Sequence, residues 1–422
     1  MEKLLGIIAD DFTGANDTGI QLSKKGYSTN VLVDLPKDHI NNQAQVTIID
    51  TDTRAASPDQ AQDKVKKVAS FLQINNINQF YKKVDSTLRG QVGAEILALE
   101  EAVTPDVVVI APAYPSLGRV TTGGVHYVDG QPVAETEFGR DPKTPVKDSR
   151  IIELLKPYGK ERITPFVPGD DVESVEEKLN QGQKWFVCDV EEDQDLRTIT
   201  NVFSELNLNI LWVGSAGLIE FIDFELDHEG VVSEFSASDS SSHVLTVSGS
   251  LSQKTKSQLI ELSKLDHVQT LEVSPIDLLN GNVLKSSDLD QLWTKQDVLL
   301  FVDSSDKNIE EANQYREQYR LTKEEVGLKI SQGLAIITKE MVKKFSINHM
   351  ILTGGDTAKA VCSELGISVL ELVKEIETGI PLGKAQLNGV DQWIVTKAGG
   401  FGNEQSLVHA TKFLKGMKHH DE

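Results

Sequence analysis

A chain of 422 residues, 39% of them hydrophobic and 25% charged, has room for two or three domains with separate cores. Its formal net charge of −22 argues against nucleic acid or anionic membrane as main partners, because either would repel such a surface. No run reaches the ~18 apolar residues of a membrane span, and the short apolar stretch at the N-terminus ends in acid, so neither insertion nor export is expected. Cys188 and Cys362 lie in apolar segments without a CxxC partner. They read as buried reduced thiols and suit a cytoplasmic location. An acidic chain that binds an acidic ligand must gather its cations locally, so clusters of Lys and Arg are informative.

The first predicted strand, Leu4–Ala9, stops at Asp10 and Asp11. The turn "DDFTG" then leads into a predicted helix over Ala15–Lys25. A strand over Thr29–Val33 follows. The next, Val46–Ile49, ends in "DTDTR" (Asp50 to Arg54) before a helix over Asp59–Gln73. Gln79–Val84, carrying Lys82 and Lys83, ends in "DSTLRG" (Asp85 to Gly90). Helix capping explains one aspartate at a strand end but not a pair. In open α/β sheets, ligands bind beyond the carboxyl ends of the strands. Three such ends bring carboxylates, hydroxyls, Arg54, Arg89 and the two lysines to one edge. The Arg fork fits a carboxylate, and Asp and hydroxyl groups fit sugar hydroxyls. The alternative is a set of surface ion pairs, Asp52–Arg54 and Asp85–Arg89, each worth little. The pattern points to a small, polyhydroxylated, anionic ligand.

After strand Val107–Ala111, the segment from Ala111 to Val146 is long for a loop and carries Arg119, His126, Arg140, Asp141 and Lys143. It reads as a lid or partner arm over the same site, with a non-catalytic hairpin as the alternative. Strands Lys184–Cys188 and Ile210–Val213 complete the first alternation. Such alternation with continuous apolar strands predicts a doubly wound parallel sheet. The Ser- and acid-rich stretch from Asp223 to His243 reads as a linker, which places domains at 1–235 and 236–422.

A second alternation follows: His243–Val247, Gln269–Val273, Val298–Val302, Met350–Thr353 and Gln392–Lys397. Three of these strands run into glycine turns: "TVSGSLS" (Ser248, Gly249, Ser250), "ILTGGDTA" (Gly354, Gly355, Asp356, Thr357) and "TKAGGFGNEQSL" (Gly399, Gly400, Gly402). Backbone N–H groups at a helix start attract anions, and three such turns in one domain predict a nucleotide phosphate site. No GxxxxGK[ST] is present, since "GIPLGKA" is one residue short. The dinucleotide fingerprint is also missing, so NAD(P) is not expected. Without a GxSxG elbow, a hydrolase triad has no support.

The stretches "IADDFTGANDTGIQLSKKG", "KKVDSTLRGQVGAE", "ETEFGRDPKTPV", "LTGGDTA" and "TKAGGFGNEQSL" together resemble the four-carbon acid sugar kinase family. Within it they are closer to the branch acting on D-threonate than to those acting on D-erythronate or 3-oxo-tetronate. The resemblance implies two α/β domains, each a mostly parallel sheet flanked by helices, with the active site in the interdomain cleft. It implies ATP and Mg²⁺, a sugar acid on the first domain, the nucleotide on the second, and phosphoryl transfer to the C4 hydroxyl. The substrate set it implies is Asp10, Asp11, Arg54, Lys82, Lys83, Val84 and Asp85, with Arg89 beside them. The nucleotide set is Ser248, Gly354, Gly355, Asp356, Thr357, Gly399 and Gly400; metal ligands are not assigned. Asp85 or Asp11 would take the hydroxyl proton, Asp85 being preferred because basic neighbours keep it ionised. The expected partners are the small sugar acid and ATP, with a homodimer as the assembly. A non-catalytic sugar-acid sensor and a nucleotide-dependent ligase are the competing functions.

Overall fold

In the computed structural model, residues 3–36, 40, 44–141, 143–224, 226, 235, 243–282, 284, 289 and 296–417 are described. Most of the Ser-rich stretch read as a linker, and the last five residues, lie outside them. The chain divides into two compact units: Met1–Asn30 with Leu35–Val231, and Val31–Asp34 with Val232–Glu422.

The first unit contains β1 (Leu5–Ala9), α1 (Phe12–Lys24), the start of β2 (Thr29–Leu32), β3 (Val46–Asp50), α2 (Pro58–Ile74), β4 (Gln79–Lys83), α3 (Val92–Val103) and β5 (Val107–Ala111). It continues with β6 (Arg119–Thr122), β7 (Val125–Val128), β8 (Gln131–Pro132), α4 (Ile151–Leu155), β9 (Ile163–Phe166), α5 (Val172–Asn180), β10 (Trp185–Cys188), α6 (Asp193–Ser204), β11 (Ile210–Gly214) and α7 (Ala216–Ile219). Seven strands form a parallel run in the order β3-β1-β4-β11-β5-β10-β9. β1 and β5 are buried at every position, as expected of strands covered by helices on both faces. Parallel β3, β1 and β4 therefore end side by side, with Ala9 paired to Asp50 and to Lys83.

The segment after β5 is a separate three-stranded antiparallel sheet, β6-β7-β8, rather than an irregular loop. Its turns use Gly123 and Gly124, both at positive φ. The backbone N–H groups of these two glycines donate to the Asp189 carboxylate.

The second unit contains β12 (Val244–Ser248), α8 (Gln253–Ser263), β13 (Val268–Val273), α9 (Pro275–Leu279), β14 (Asp297–Val302), α10 (Asp306–Tyr319), α11 (Lys323–Phe345) and β15 (His349–Thr353). It ends with α12 (Gly355–Leu365), β16 (Val369–Glu377), β17 (Ile380–Leu387), β18 (Val390–Lys397) and α13 (Ser406–Leu414). Here β13-β14-β12-β15-β18 are parallel, whereas β18-β17-β16 are antiparallel. The sequence reading did not place β16 and β17. β16 alternates apolar and charged residues ("VLELVKEIE") and is only half-covered, so it lacks the continuous apolar run of a strand buried on both faces. "GIPLGKA" opens β17 after a turn at Gly379, φ +73°.

Candidate active site

In the first unit the geometry begins at the ends of β1, β3 and β4. Asp11 is the N-cap of α1, where its Oδ1 accepts the Gly14 N–H at 2.8 Å. Asp10, the preceding residue, is buried. The loop after β3 bends back over this corner, and the Asp10 carbonyl accepts the N–H groups of Thr53 and Arg54. That places the Arg54 guanidinium among three carboxylates. Nε lies 2.7 Å from Asp10 Oδ2, Nη1 2.8 Å from Asp11 Oδ2, and Nη2 3.5 Å from Asp85 Oδ1. The fork that the sequence reading offered to a ligand carboxylate is thus occupied by the protein's own.

The loop after β4 builds the other half. Leu88 at φ +61° and Gly90 at φ +95° curl "DSTLRG" so that Arg89 returns to Asp85. Arg89 Nε lies 2.8 Å from Asp85 Oδ2, and Nη2 lies 3.2 Å from Oδ1. Thr87 Oγ1 also donates to Asp85 Oδ2. The third nitrogen, Nη1, reaches Asp141 at 3.3 Å, and the guanidinium stacks over Phe138, 5.1 Å from its centroid. Asp141 is held by the backbone N–H groups of Lys143 and Thr144. From β7, His126 donates through Nε2 to the Ser86 carbonyl at 2.8 Å, while Nδ1 accepts from Thr121. The β6-β7-β8 sheet is therefore tied to the Asp85 loop, with Asp141, Phe138 and His126 among the ties. Arg140 and Lys143 are exposed on its surface.

The lysines of "KKVD" separate. Lys83 is buried, donates to the Val84 carbonyl at 2.7 Å, and has its Nζ beside Gly14, where a Cβ would come within 2.7 Å of it. Lys82 is fully buried and pairs with Glu95 of α3 at 2.6 Å. It also donates to the carbonyls of Ile8 and Lys83. Val84 is buried too, and its N–H donates to Gly214. Lys82 and Val84 brace the strand ends from within, and Glu95 is a brace the sequence reading missed. It closes the quoted stretch "KKVDSTLRGQVGAE", where nothing local marks it as the partner of Lys82.

These pairings split the three carboxyl groups. Burial works against the charge of Asp85, but Arg89 and Arg54 outweigh it and hold its carboxyl well below the usual range. Asp10 is lowered in the same way: burial is overcome by Arg54 and Lys83. Asp11 goes up, because burial, with Asp10 and Asp85 as like-charged neighbours, exceeds what Arg54 and Lys83 supply. One atom is left over: Asp10 Oδ1 is buried with no hydrogen-bond partner among the described residues.

In the second unit, three turns converge at the carboxyl ends of β12, β15 and β18. Ser248 pairs with Thr353, and Thr353 with Lys397, in one row across the sheet. Gly354, at φ +98°, is the N-cap of α12, and its N–H donates to the Lys397 carbonyl. A Cβ on Gly249 would meet Thr357 Oγ1 at 2.4 Å, and one on Gly399 would meet Ser250 Oγ at 2.5 Å. The turns thus touch one another through their glycines, while Gly400 opens onto free space. Gly355 and Asp356 form the first turn of α12. Ser248 Oγ and Thr353 Oγ1 are buried without partners among the described residues. Lys397, absent from the sequence-derived set, ties the last turn together. Its Nζ donates to the carbonyls of Ala398 at 2.8 Å, Phe401 at 3.3 Å and Gly399 at 3.5 Å. Burial and neighbouring Lys254 lower its ammonium to about 7.

Two family descriptions match the chain: "Sugar-binding N-terminal domain" over residues 5–222 and "Nucleotide-binding C-terminal domain" over residues 245–407. A D-threonate kinase of Salmonella typhimurium is 31% identical, covering 97% of this chain and 98% of the relative. A D-erythronate kinase of Heliobacterium modesticaldum is 29% identical, covering 97% of this chain and 96% of the relative. The chain belongs to the four-carbon acid sugar kinase family. A solved Haemophilus influenzae protein of the DUF1537 family shares its fold, with a TM-score of 0.72 at 22% identity over 97% of this chain and all of that one.

As a four-carbon acid sugar kinase the protein is an enzyme, and both of its constellations lie at the carboxyl ends of strands. The two cysteines are buried free thiols; burial pushes Cys362 up to about 12. No helix among the described residues is long and apolar enough to cross a membrane.

Proposed function

We propose that this kinase transfers the γ-phosphoryl group of ATP to the C4 hydroxyl of a four-carbon sugar acid, with D-threonate as substrate. D-Erythronate and 3-oxo-tetronate are the alternatives. The observation that carries the reading is the Asp10–Asp11–Asp85 cluster around Arg54, an arrangement of acceptors suited to a polyhydroxylated ligand. The first unit holds the acid. Asp10 Oδ1, the unpartnered acceptor, takes a substrate hydroxyl, and Lys83 adds positive charge nearby.

The proton of the C4 hydroxyl goes to Asp11. Asp85 is a poor base: two arginines and Thr87 engage its oxygens, and its depressed carboxyl has little affinity for a proton. The same arginines that keep it ionised thus remove the reason to prefer it. Asp11 is partly exposed and its carboxyl is raised, which brings it closer to the proton affinity a base needs.

The second unit holds ATP. The buried hydroxyls of Ser248 and Thr353 and the side-chain-free surfaces of Gly354 and Gly399 fit phosphate oxygens. Mg²⁺ ordinarily keeps several waters and takes one or two carboxylates together with the phosphates. Asp356, in the first turn of α12, is the carboxylate we assign to it. Turn amides and the metal would balance charge on the transferred group.

The test is incubation with MgATP and a panel of D-threonate, D-erythronate and 3-oxo-tetronate, reading ADP and the phosphorylated acid. Formation of a 4-phosphotetronate is the expected result. Binding without ADP release would make the protein a sensor, and pyrophosphate release would make it a ligase.

A further inference from the structure

The cations around Asp85 are engaged by the protein itself. All three Arg54 nitrogens face aspartates, as do all three of Arg89. Lys83 donates to the Val84 carbonyl, and Lys82 is spent on Glu95. A ligand carboxylate entering this corner meets Asp10, Asp11, Asp85 and Asp141 and no open fork among these four cations. Lys83 keeps its charge but is a point donor, so recognition of a carboxylate through two parallel bonds needs a further guanidinium.

Arg119 opens β6. Backbone bonds in both directions between Tyr114 and Arg119 fix its position. Side chains two apart on a strand share a face, so Arg119 projects on the same side as Thr121. That face is the one turned to the Asp85 loop: Thr121 bonds His126, and His126 bonds the Ser86 carbonyl. Nη1 of Arg119 donates to the Leu117 carbonyl. Nε is buried and has no partner among the described residues. What remains is the Nε–Nη2 edge of the guanidinium, the side-on fork that accepts a carboxylate through two parallel bonds. Burial works against its charge; Asp129, Asp85 and Asp17 are within electrostatic reach and favour it, and Arg89 opposes it.

We propose that Arg119 binds the carboxylate of the sugar acid and makes the enzyme specific for acids over neutral sugars of the same length. The assignment rests on the tetronate kinase reading above. Arg54 and Arg89 then order the aspartates, and the β6-β7-β8 sheet is the platform that carries the acid-reading residue.

The test compares each tetronate with its neutral tetronamide, using MgATP and the full-length wild type, Arg119→Gln and Arg119→Lys. The measured quantity is the ratio of kcat/KM for acid over amide, which does not depend on the fraction of folded protein. Wild type should favour the acid. Arg119→Gln should lower that ratio roughly 10- to 100-fold, through KM for the acid, as expected for loss of a charge-assisted bond. ADP affinity should stay unchanged, and Arg119→Lys should recover part of the ratio, since it keeps the charge and loses the fork. If Arg119→Gln preserves the ratio, or if Arg119→Lys behaves as wild type while Arg54→Lys loses the preference, Arg119 is not the acid reader. Should Arg119→Gln fail to fold, Arg119→Lys decides alone: an unchanged ratio overturns the assignment and a partial loss supports it. If the wild type phosphorylates none of the tetronates, the functional reading itself falls and the assignment with it. If it phosphorylates them without preferring acid to amide, only the assignment falls.

Discussion

Three aspartates surround one guanidinium, and yet their carboxyl groups are driven in different directions. The cause lies in what each meets besides Arg54. Asp85 has Arg89 and Thr87, Asp10 has the two lysines nearby, and Asp11 has two negative neighbours. If Asp11 takes the proton, Asp11→Asn should cut kcat by ~10²–10⁴ with a small effect on substrate affinity. Asp85→Asn should instead raise KM for the acid and lower the melting temperature, because two half-buried arginines lose a charged partner. Steady-state kinetics and thermal melts of the two variants read this directly, and the reverse pattern would return the base to Asp85. His126 gives a pH signature. Burial, against the pull of the Ser86 carbonyl, lowers the ring from 6.5 to about 4, so it stays neutral in the folded chain. Between those values the unfolded chain binds a proton that the folded one refuses. Its contribution to stability is therefore complete above pH 6.5 and is lost as pH falls toward 4, by about 3 kcal/mol in all. The melting-temperature gap between wild type and His126→Gln should shrink as pH is lowered through that window; a gap independent of pH would contradict it.

At the scale of elements, the site is made where strands stop. The N–H groups of Thr51 and of residues 53 and 54 bond back to Ala9 and Asp10, so the loop after β3 is shaped by the end of β1. In the second unit, Lys397 does comparable work with one ammonium, drawing in the carbonyls of residues 398, 399 and 401. Lys397→Met should loosen the turn and weaken ADP binding by roughly tenfold, with no change in tetronate affinity, as measured by calorimetry. Gly354→Val should abolish ADP binding, because a β-branched residue resists φ +98° and would put a side chain on the face left open at the turn. Unchanged ADP affinity in either variant would remove that turn from the nucleotide site.

At the scale of the molecule, the second unit includes residues 31–34 from far upstream. Val33 N–H donates to Ser368, and Asp34 accepts from Ser363. A chain cut within 236–242 leaves all three glycine turns on the C-terminal piece but removes that segment. We expect this piece to bind ADP and to melt at a lower temperature than the same unit in the whole chain. Co-expression of the two pieces should restore the melting temperature and co-purify them. Calorimetry showing no ADP binding by a piece that is folded by circular dichroism would oppose placing the nucleotide on this unit.

Alternation of apolar strands with amphipathic helices was readable in the residues, because burial on both faces demands continuous Val, Ile and Leu. So were the strand-end clusters, Asp10 to Arg89 and the three glycine turns, because carboxylates and glycines interrupt such runs abruptly. β16 and β17 were not, since a half-covered antiparallel strand shares its alternating pattern with polar surface segments. What each charged group does was decided only in three dimensions. Lys82 and Lys83 are neighbours in sequence, yet one is buried against Glu95 and the other lies beside Gly14. Arg54 and Arg119 are the same residue type, yet one is saturated by aspartates and the other keeps a buried nitrogen without a partner among the described residues. Charge interactions depend on distance and burial, and these follow from which strand ends the sheet places together; local sequence carries the residue types but not their partners.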